Sequence, residues 1–206
     1  MTALFLDAFI ILFVVVDPVG LAPIFGAITH GGAPAYRRRM AVRGVTIAAL
    51  ILVAFVFAGG ALLRALGVGM PAFQIAGGIL LFVLALDMVF ARHSGIRSTT
   101  EREQREAERK ADVSVFPLAF PLIAGPGALT SVLLLSGRGA DRPEAVGVVL
   151  VVVVVVLALA LAALLAADRI MRIMGETGAN VVTRVFGVLL AALAVQYILD
   201  GIHAGF

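Results

Sequence analysis

Residues 13–28 read FVVVDPVGLAPIFGAI. They lie inside an apolar run from about 3 to 29, longer than the roughly 20 residues a helix needs to cross the hydrocarbon core. Near its middle the run carries Asp17, Pro18 and Gly20. Proline cannot donate the helical i→i−4 hydrogen bond and clashes with the turn before it. It also pushes the preceding residue out of the helical region, and glycine relaxes the backbone further. A carboxylate at this depth is costly and has to face protein or water. The stretch therefore reads as a spanning helix interrupted near mid-depth.

Composition supports a membrane setting. Of 206 residues, 62% are hydrophobic and only 14% charged, with mean hydropathy +1.10, whereas soluble domains hold about 45–50% apolar residues. Cysteine is absent, which excludes disulfides and thiol chemistry. His30, His93 and His203 lie near segment ends without metal-ligand spacing, so neither a metal nor any other cofactor is expected. The +3 formal charge does not indicate nucleic acid, because the arginines lie between apolar runs, where they set membrane topology. The start of the chain has no basic n-region and no A-x-A cleavage site, and is expected to remain as the first span.

Six apolar runs follow one another, over about 3–29, 44–63, 72–91, 113–136, 145–167 and 181–200. Each is expected to be a helix, because unpaired backbone groups are too costly in lipid. That holds even for LVVVVVVL (150–157), which would read as a strand in water. The one long polar stretch, 92–112, contains TEREQREAERK (100–110), read as a solvated short helix with internal ion pairs. Thirteen of the sixteen Lys and Arg residues fall on the side of loops 1, 3 and 5. That bias predicts a cytoplasmic position for those loops and outward-facing termini.

The chain divides into 1–91, a cytoplasmic loop at 92–112, and 113–206. Pro18 and Pro126 are 108 residues apart, and GILLFVLALD (78–87) aligns with GVLLAALAVQ (187–196) at an offset of 109. In that register Gln74 falls on Thr183. Each part holds three spans, an odd number, so the second enters from the opposite side. The expected fold is an all-α membrane protein of six transmembrane helices arranged as a 3+3 inverted-topology repeat, an architecture of many secondary transporters. Spans 1 and 4 are expected to break at Asp17-Pro18 and Gly125-Pro126. Aspartate is a strong N-cap and proline is favoured at N1, so a half-helix starts at each break. Their positive ends suit a carboxylate or another anion.

The candidate binding residues are Asp17, Pro18 and Gly20 in span 1; Gly125, Pro126, Gly127, Thr130 and Ser131 in span 4; and Gln74 in span 3. Two roles suit Asp17: a helix cap, or a contact for a substrate ammonium or a coupling proton. Thr130 and Ser131 fit either bonds back to their own helix or a ligand contact, and Gln74 fits either helix packing or the site. Asp87 is expected at the interface beside Arg92.

At this point DPVGLAPIF (17–25) and PLIAGPGALT (121–130) resemble the motif segments of the MarC family of integral membrane proteins. The family pattern D-P-x-G-x-x-P falls on Asp17, Pro18, Gly20 and Pro23. Its P-x-x-x-G-P-G-A-x-T falls on Pro121, Gly125, Pro126, Gly127, Ala128 and Thr130. The resemblance covers essentially the whole chain. It implies a six-span protein of the inner membrane, in a family also described as neutral amino acid transporters within the LysE-type exporter superfamily.

The function expected is secondary transport, by resemblance export, of small neutral amino acids or similar solutes, coupled to H+ or Na+. A zwitterion needs an attractor for its carboxylate and an acceptor for its ammonium. The paired breaks supply the first and Asp17 the second. No G-x-x-x-x-G-K-[ST] is present, so direct ATP-driven transport by this chain is not expected. A channel or a non-transporting membrane scaffold is the alternative. A membrane enzyme fits less well, because no paired aspartates, Ser–His pair or H-E-x-x-H occurs at a shared depth. The partners are a small solute and the lipid bilayer; the oligomeric state stays open.

Overall fold

A computed structural model describes residues 2–90, 112–137 and 143–205, and every regular element among them is helical. In chain order they are α1 (Thr2–Val16), α2 (Pro18–Ile28), α3 (Pro34–Ala65), α4 (Met70–Phe90), α5 (Ser114–Ile123), α6 (Pro126–Gly137), α7 (Pro143–Leu165) and α8 (Ala167–Gly205). Five segments are long and apolar enough to cross a membrane: Thr2–Ile28, Pro34–Ala65, Met70–Phe90, Glu144–Leu165 and Thr177–Gly205. A sixth is α5 with α6, if the pair, bent by 55°, is counted as one span. The chain is an all-α multi-pass membrane protein.

Two helices outrun the apolar runs that predict them. Helix α3 begins at Pro34, not near residue 44, so Arg37, Arg38, Arg39 and Arg43 ride on helix and not in a loop. Proline suits a first helical turn and arginine is a good helix former, so the helix continues past the hydrocarbon boundary. Likewise α8 begins at Ala167 and runs through Gly175, whose positive φ of 63° breaks it ahead of the span. TEREQREAERK and Arg92, the expected neighbour of Asp87, lie outside the described residues.

The interrupted segments form the centre. In the most apolar window of Thr2–Ile28, 67% of residues are buried, against 28–39% in the continuous spans. Helix α6 buries Gly127, Ala128 and the whole run Thr130–Ser136. The continuous helices surround this centre and expose Leu50, Phe57, Ile79, Val154 and Val188. In water such a surface would drive aggregation; on a spanning helix it is the face offered to lipid.

Packing follows small residues. Helix α4 lies along α8, and a Cβ on Gly78 would come 2.7 Å from Ile198, one on Gly187 2.8 Å from Met88. Only glycine lets the two helices approach this closely. Helix α3 packs on α5, α6 and α7, while α7 also packs on α1 and α2. Along α1, Phe5, Phe9 and Phe13 stack at successive turns, and Phe13 meets Phe186 of α8 edge-on at 5.8 Å.

Candidate functional site

Asp17 stands between α1 and α2, fully buried. Its N–H donates to the Phe13 carbonyl at 2.9 Å, completing α1, and its own carbonyl accepts from the Leu21 N–H at 3.0 Å, opening α2. Between those bonds its backbone is left-handed, φ 48° and ψ 70°. Aspartate is among the few non-glycine residues that tolerate this region. The side chain folds back over the new helix. Oδ1 accepts from the Gly20 N–H at 2.9 Å, and Oδ2 accepts from the Thr183 hydroxyl of α8 at 3.1 Å. Pro18 occupies the first turn, where a missing N–H costs nothing. A Cβ on Gly20 would lie 2.1 Å from Asp17 Oδ2 and 2.7 Å from Thr183 Oγ1, so glycine is what makes room for the carboxylate. The positive end of α2 is thus met by a side chain of its own cap.

The second interruption is built from backbone. In α5 the hydrogen bonds reach back five residues, Leu118 N–H to Val113 O at 3.2 Å and Ala124 N–H to Ala119 O at 2.8 Å. Phe116 and Phe120 are extended, each followed by a cis peptide bond to Pro117 or Pro121. Gly125 follows, and a Cβ there would lie 2.2 Å from the Pro121 carbonyl oxygen. Its own carbonyl accepts from the Leu129 N–H at 3.0 Å as α6 begins at Pro126. The next donors, the N–H groups of Gly127 and Ala128, belong to the first turn and have no carbonyl within the helix to take them. No acidic residue lies in that turn.

These donors border a small recess lined by Val15, Leu84, Pro121, Gly125, Pro126, Gly127 and Ala128 among others. Val15 is two residues before Asp17, so the recess joins the end of α1 to the start of α6. Its volume of about 10 Å³ admits one water at most. As it stands, this recess is closed to any larger solute.

The remaining expected residues take distinct places. Thr130 turns its methyl group to α4, where a Cβ on Gly77 would be 1.9 Å away. Ser131 is fully buried, and its Oγ has no hydrogen-bond partner among the described residues. A bond back to its own helix is therefore not what it makes. Gln74 is half-buried on α4, one turn before Gly77. Thr183 escaped attention as a site residue in the sequence. The only signal for it was its alignment with Gln74, because it lies 166 residues from its partner Asp17.

Away from the two interruptions, two ion pairs tie distant segments together. Arg43 donates to Asp112 at 2.8 Å, and Arg37 donates to both oxygens of Asp168 at 2.5 and 2.8 Å. The Ser114 hydroxyl and N–H, with Arg43 and Arg39 nearby, hold the Asp112 carboxyl below the usual carboxylate range. The Arg37 hydrogen bond, with the charges of Arg37 and Arg172, does the same for Asp168. Among the described residues no three His, Asp or Glu side chains gather to hold a metal ion.

Comparison with known proteins matches the whole chain. A model of the family described as MarC family integral membrane protein covers residues 2–206. A UPF0056 membrane protein of Archaeoglobus fulgidus is 37% identical over 201 residues, 96% of this chain and 92% of the relative. The UPF0056 membrane protein YvbG of Bacillus subtilis is 33% identical over 210 residues, 100% of this chain and 97% of the relative. The UPF0056 inner membrane protein YhgN of Escherichia coli K12 is 32% identical over 198 residues, 96% of this chain and 95% of the relative. No solved structure matches the chain.

Proposed function

The chain belongs to the MarC family of integral membrane proteins, and from that premise we propose that it is a secondary transporter of small neutral amino acids or similar small solutes, coupled to H+ or Na+. One observation carries the reading. The recess at the start of α6, a turn without an acidic residue, is lined by Val15, two residues before the buried Asp17. A zwitterion would set its carboxylate against the Gly127 and Ala128 N–H groups, where the helix dipole favours an anion. Its ammonium would approach Asp17, where Thr183 steadies the carboxylate. Ser131 Oγ, buried one turn beyond Gly127 on the same helix, is the next group for cargo or ion to reach. Discontinuous helices of this kind mark binding sites in transporters. Because the recess holds about one water, the form described is the closed member of an alternating pair.

The proposal includes an inverted repeat, 1–91 against 113–206, with 92–112 as a cytoplasmic loop and both termini outside. Packing supports it. Exchanging α1 with α5, α2 with α6, α3 with α7 and α4 with α8 turns each of the pairs α3–α5, α3–α6 and α4–α6 into another packed pair, α1–α7, α2–α7 and α2–α8. Close contacts obey the same rule: Gly78 meets Ile198, and 109 residues away Gly187 meets Val89, which is Ile198 less 109. In that register Gln74 takes the place on α4 that Thr183 takes on α8.

The test is counterflow of labelled alanine, serine and glycine in proteoliposomes, with and without a proton or sodium gradient. Saturable flux that responds to one gradient is expected. Absence of saturable flux for all three solutes removes the substrate reading, cytoplasmic labelling of the C-terminus removes the stated orientation, and labelling of the two termini on opposite sides removes the inverted repeat.

A further inference from the structure

A second cavity lies at the membrane face that carries the α2–α3 and α7–α8 turns. Its volume is about 270 Å³, and Phe25, Pro34, Arg37, Arg38, Leu164 and Asp168 are among its walls. That is close to the lower end of small-ligand pockets, about 300 Å³. Arg37 is held there by contacts that do not involve Asp168. Its Nε donates to the Thr29 hydroxyl at 3.2 Å, and Thr29, buried, is fixed by donating to the Phe25 carbonyl at 2.6 Å. The guanidinium also sits 5.8 Å from the Phe25 ring centre, within cation–π range. The two remaining nitrogens form a fork, the geometry that grips a carboxylate through parallel bonds. Asp168 occupies that fork, yet its side chain is 68% exposed, against 23% for Arg37. The pair is therefore asymmetric: a fixed arginine and a solvated, replaceable carboxylate. The pair is bidentate, so a solute that takes the fork must itself present a carboxylate able to match both bonds.

We propose that the Arg37 fork is an entry site for a carboxylate-bearing solute, whose carboxylate displaces Asp168 from Arg37. For a zwitterion, the released Asp168 then faces the solute's ammonium. The inner wall supports a solute over a lipid headgroup. Phe25 is buried and lies on α2, eight residues or about 12 Å from Asp17 at the helical rise. One short helix thus runs from the cavity to Asp17, and the site extends the transport reading on which its purpose rests.

The experiment uses full-length protein, delipidated in detergent, with sodium propionate and alanine as probes and ligand-observed NMR as the readout. Propionate is expected to bind about fivefold tighter to Asp168→Ala, which removes the competing carboxylate, while alanine, having lost its ammonium partner, gains nothing. Arg37→Lys keeps the charge and loses the fork, and is expected to weaken both probes by about fivefold. Thr29→Val frees Arg37 from its anchor and should weaken them in the same direction. Melting curves for each variant establish that it is folded. Propionate binding that is indifferent to both Asp168→Ala and Arg37→Lys overturns the site. Binding of phosphatidylglycerol in mixed micelles that follows Arg37→Lys, with propionate indifferent, overturns the solute assignment in favour of a lipid headgroup. Because no gradient or flux is involved, loss of transport with these binding shifts intact would fault the transport reading alone.

Discussion

The interruption at Asp17 and the one at Gly125 are each followed by a helix that begins at a proline, yet they are made of different materials. At Asp17 a side chain carries the break: its carboxylate bonds Gly20 and Thr183, and the backbone bonds of α1 and α2 continue through it on either side. The segment Thr2–Ile28 accordingly remains one span. At Gly125 the backbone carries the break, through two extended phenylalanines and a glycine pressed on the Pro121 carbonyl, and α5 turns by 55° into α6. A side-chain break places a carboxyl group inside and caps its own helix end. A backbone break leaves donors inside and neutralises nothing. Together they place a carboxyl group and an uncapped helix start in one interior, the two features on which the proposed zwitterion site rests.

The sharpest way to break this comparison is Asp17→Asn. Asparagine keeps an acceptor for the Gly20 N–H and offers an NH2 to Thr183 Oγ1, so the cap survives and only the charge is lost. The expected outcome is a normally folded protein whose solute flux falls about a hundredfold, the scale of removing one partner of a buried charged contact. Unchanged flux would reduce Asp17 to a cap. Next come the paired substitutions Gly125→Ala and Gly20→Ala, followed by thermal unfolding in detergent. At Gly125 the new Cβ meets a carbonyl that cannot move away, so a loss of about 1–3 kcal/mol is expected. At Gly20 it meets a carboxylate, which can swing aside, so stability should fall less and flux more. Equal behaviour of the two would erase the distinction between the breaks.

Smaller effects sharpen the comparison. Thr183→Val removes one hydrogen bond to Asp17 Oδ2 and should cost about 1.5–3 kcal/mol, the range for bonds to charged groups. Its flux should fall but stay gradient-dependent, because the carboxyl group keeps its bond to the Gly20 N–H. The smallest effect belongs to Asp112, far from both breaks. Its folded-state pKa is depressed, so its contribution to stability is complete above the unfolded value of about 3.9 and disappears as pH falls through the folded value. Asp112→Asn should therefore flatten the acid limb of a melting-temperature profile and leave the neutral limb almost unchanged.

Legibility in the sequence followed the range of the forces involved. The apolar runs located the spanning helices because lipid leaves a backbone no other way to pair its polar groups. The order Asp, Pro, x, Gly is a local code, in which a cap, a first-turn proline and a small third position all act within four residues, and Asp17 could be picked out on that ground. The ends of α3 and α8 were misjudged because hydropathy reports where lipid stops, and a helix of arginines need not stop there. Nor could the left-handed backbone of Asp17, the orphaned Ser131 Oγ or the five-residue hydrogen bonds of α5 be anticipated, since each depends on which neighbours crowd the residue.

By itself, then, the sequence determined that this chain is a bundle of membrane helices, because composition and periodicity act on each segment independently. The same local chemistry marked Asp17 and Gly125 as places where a helix does not run on. Only the tertiary structure decided what surrounds them. Thr183 reaches Asp17 across 166 residues, Val15 borders the start of α6, and Asp168 meets Arg37 across 131 residues. Such contacts are set by how glycine-lined helices close on one another, and no segment carries that information alone.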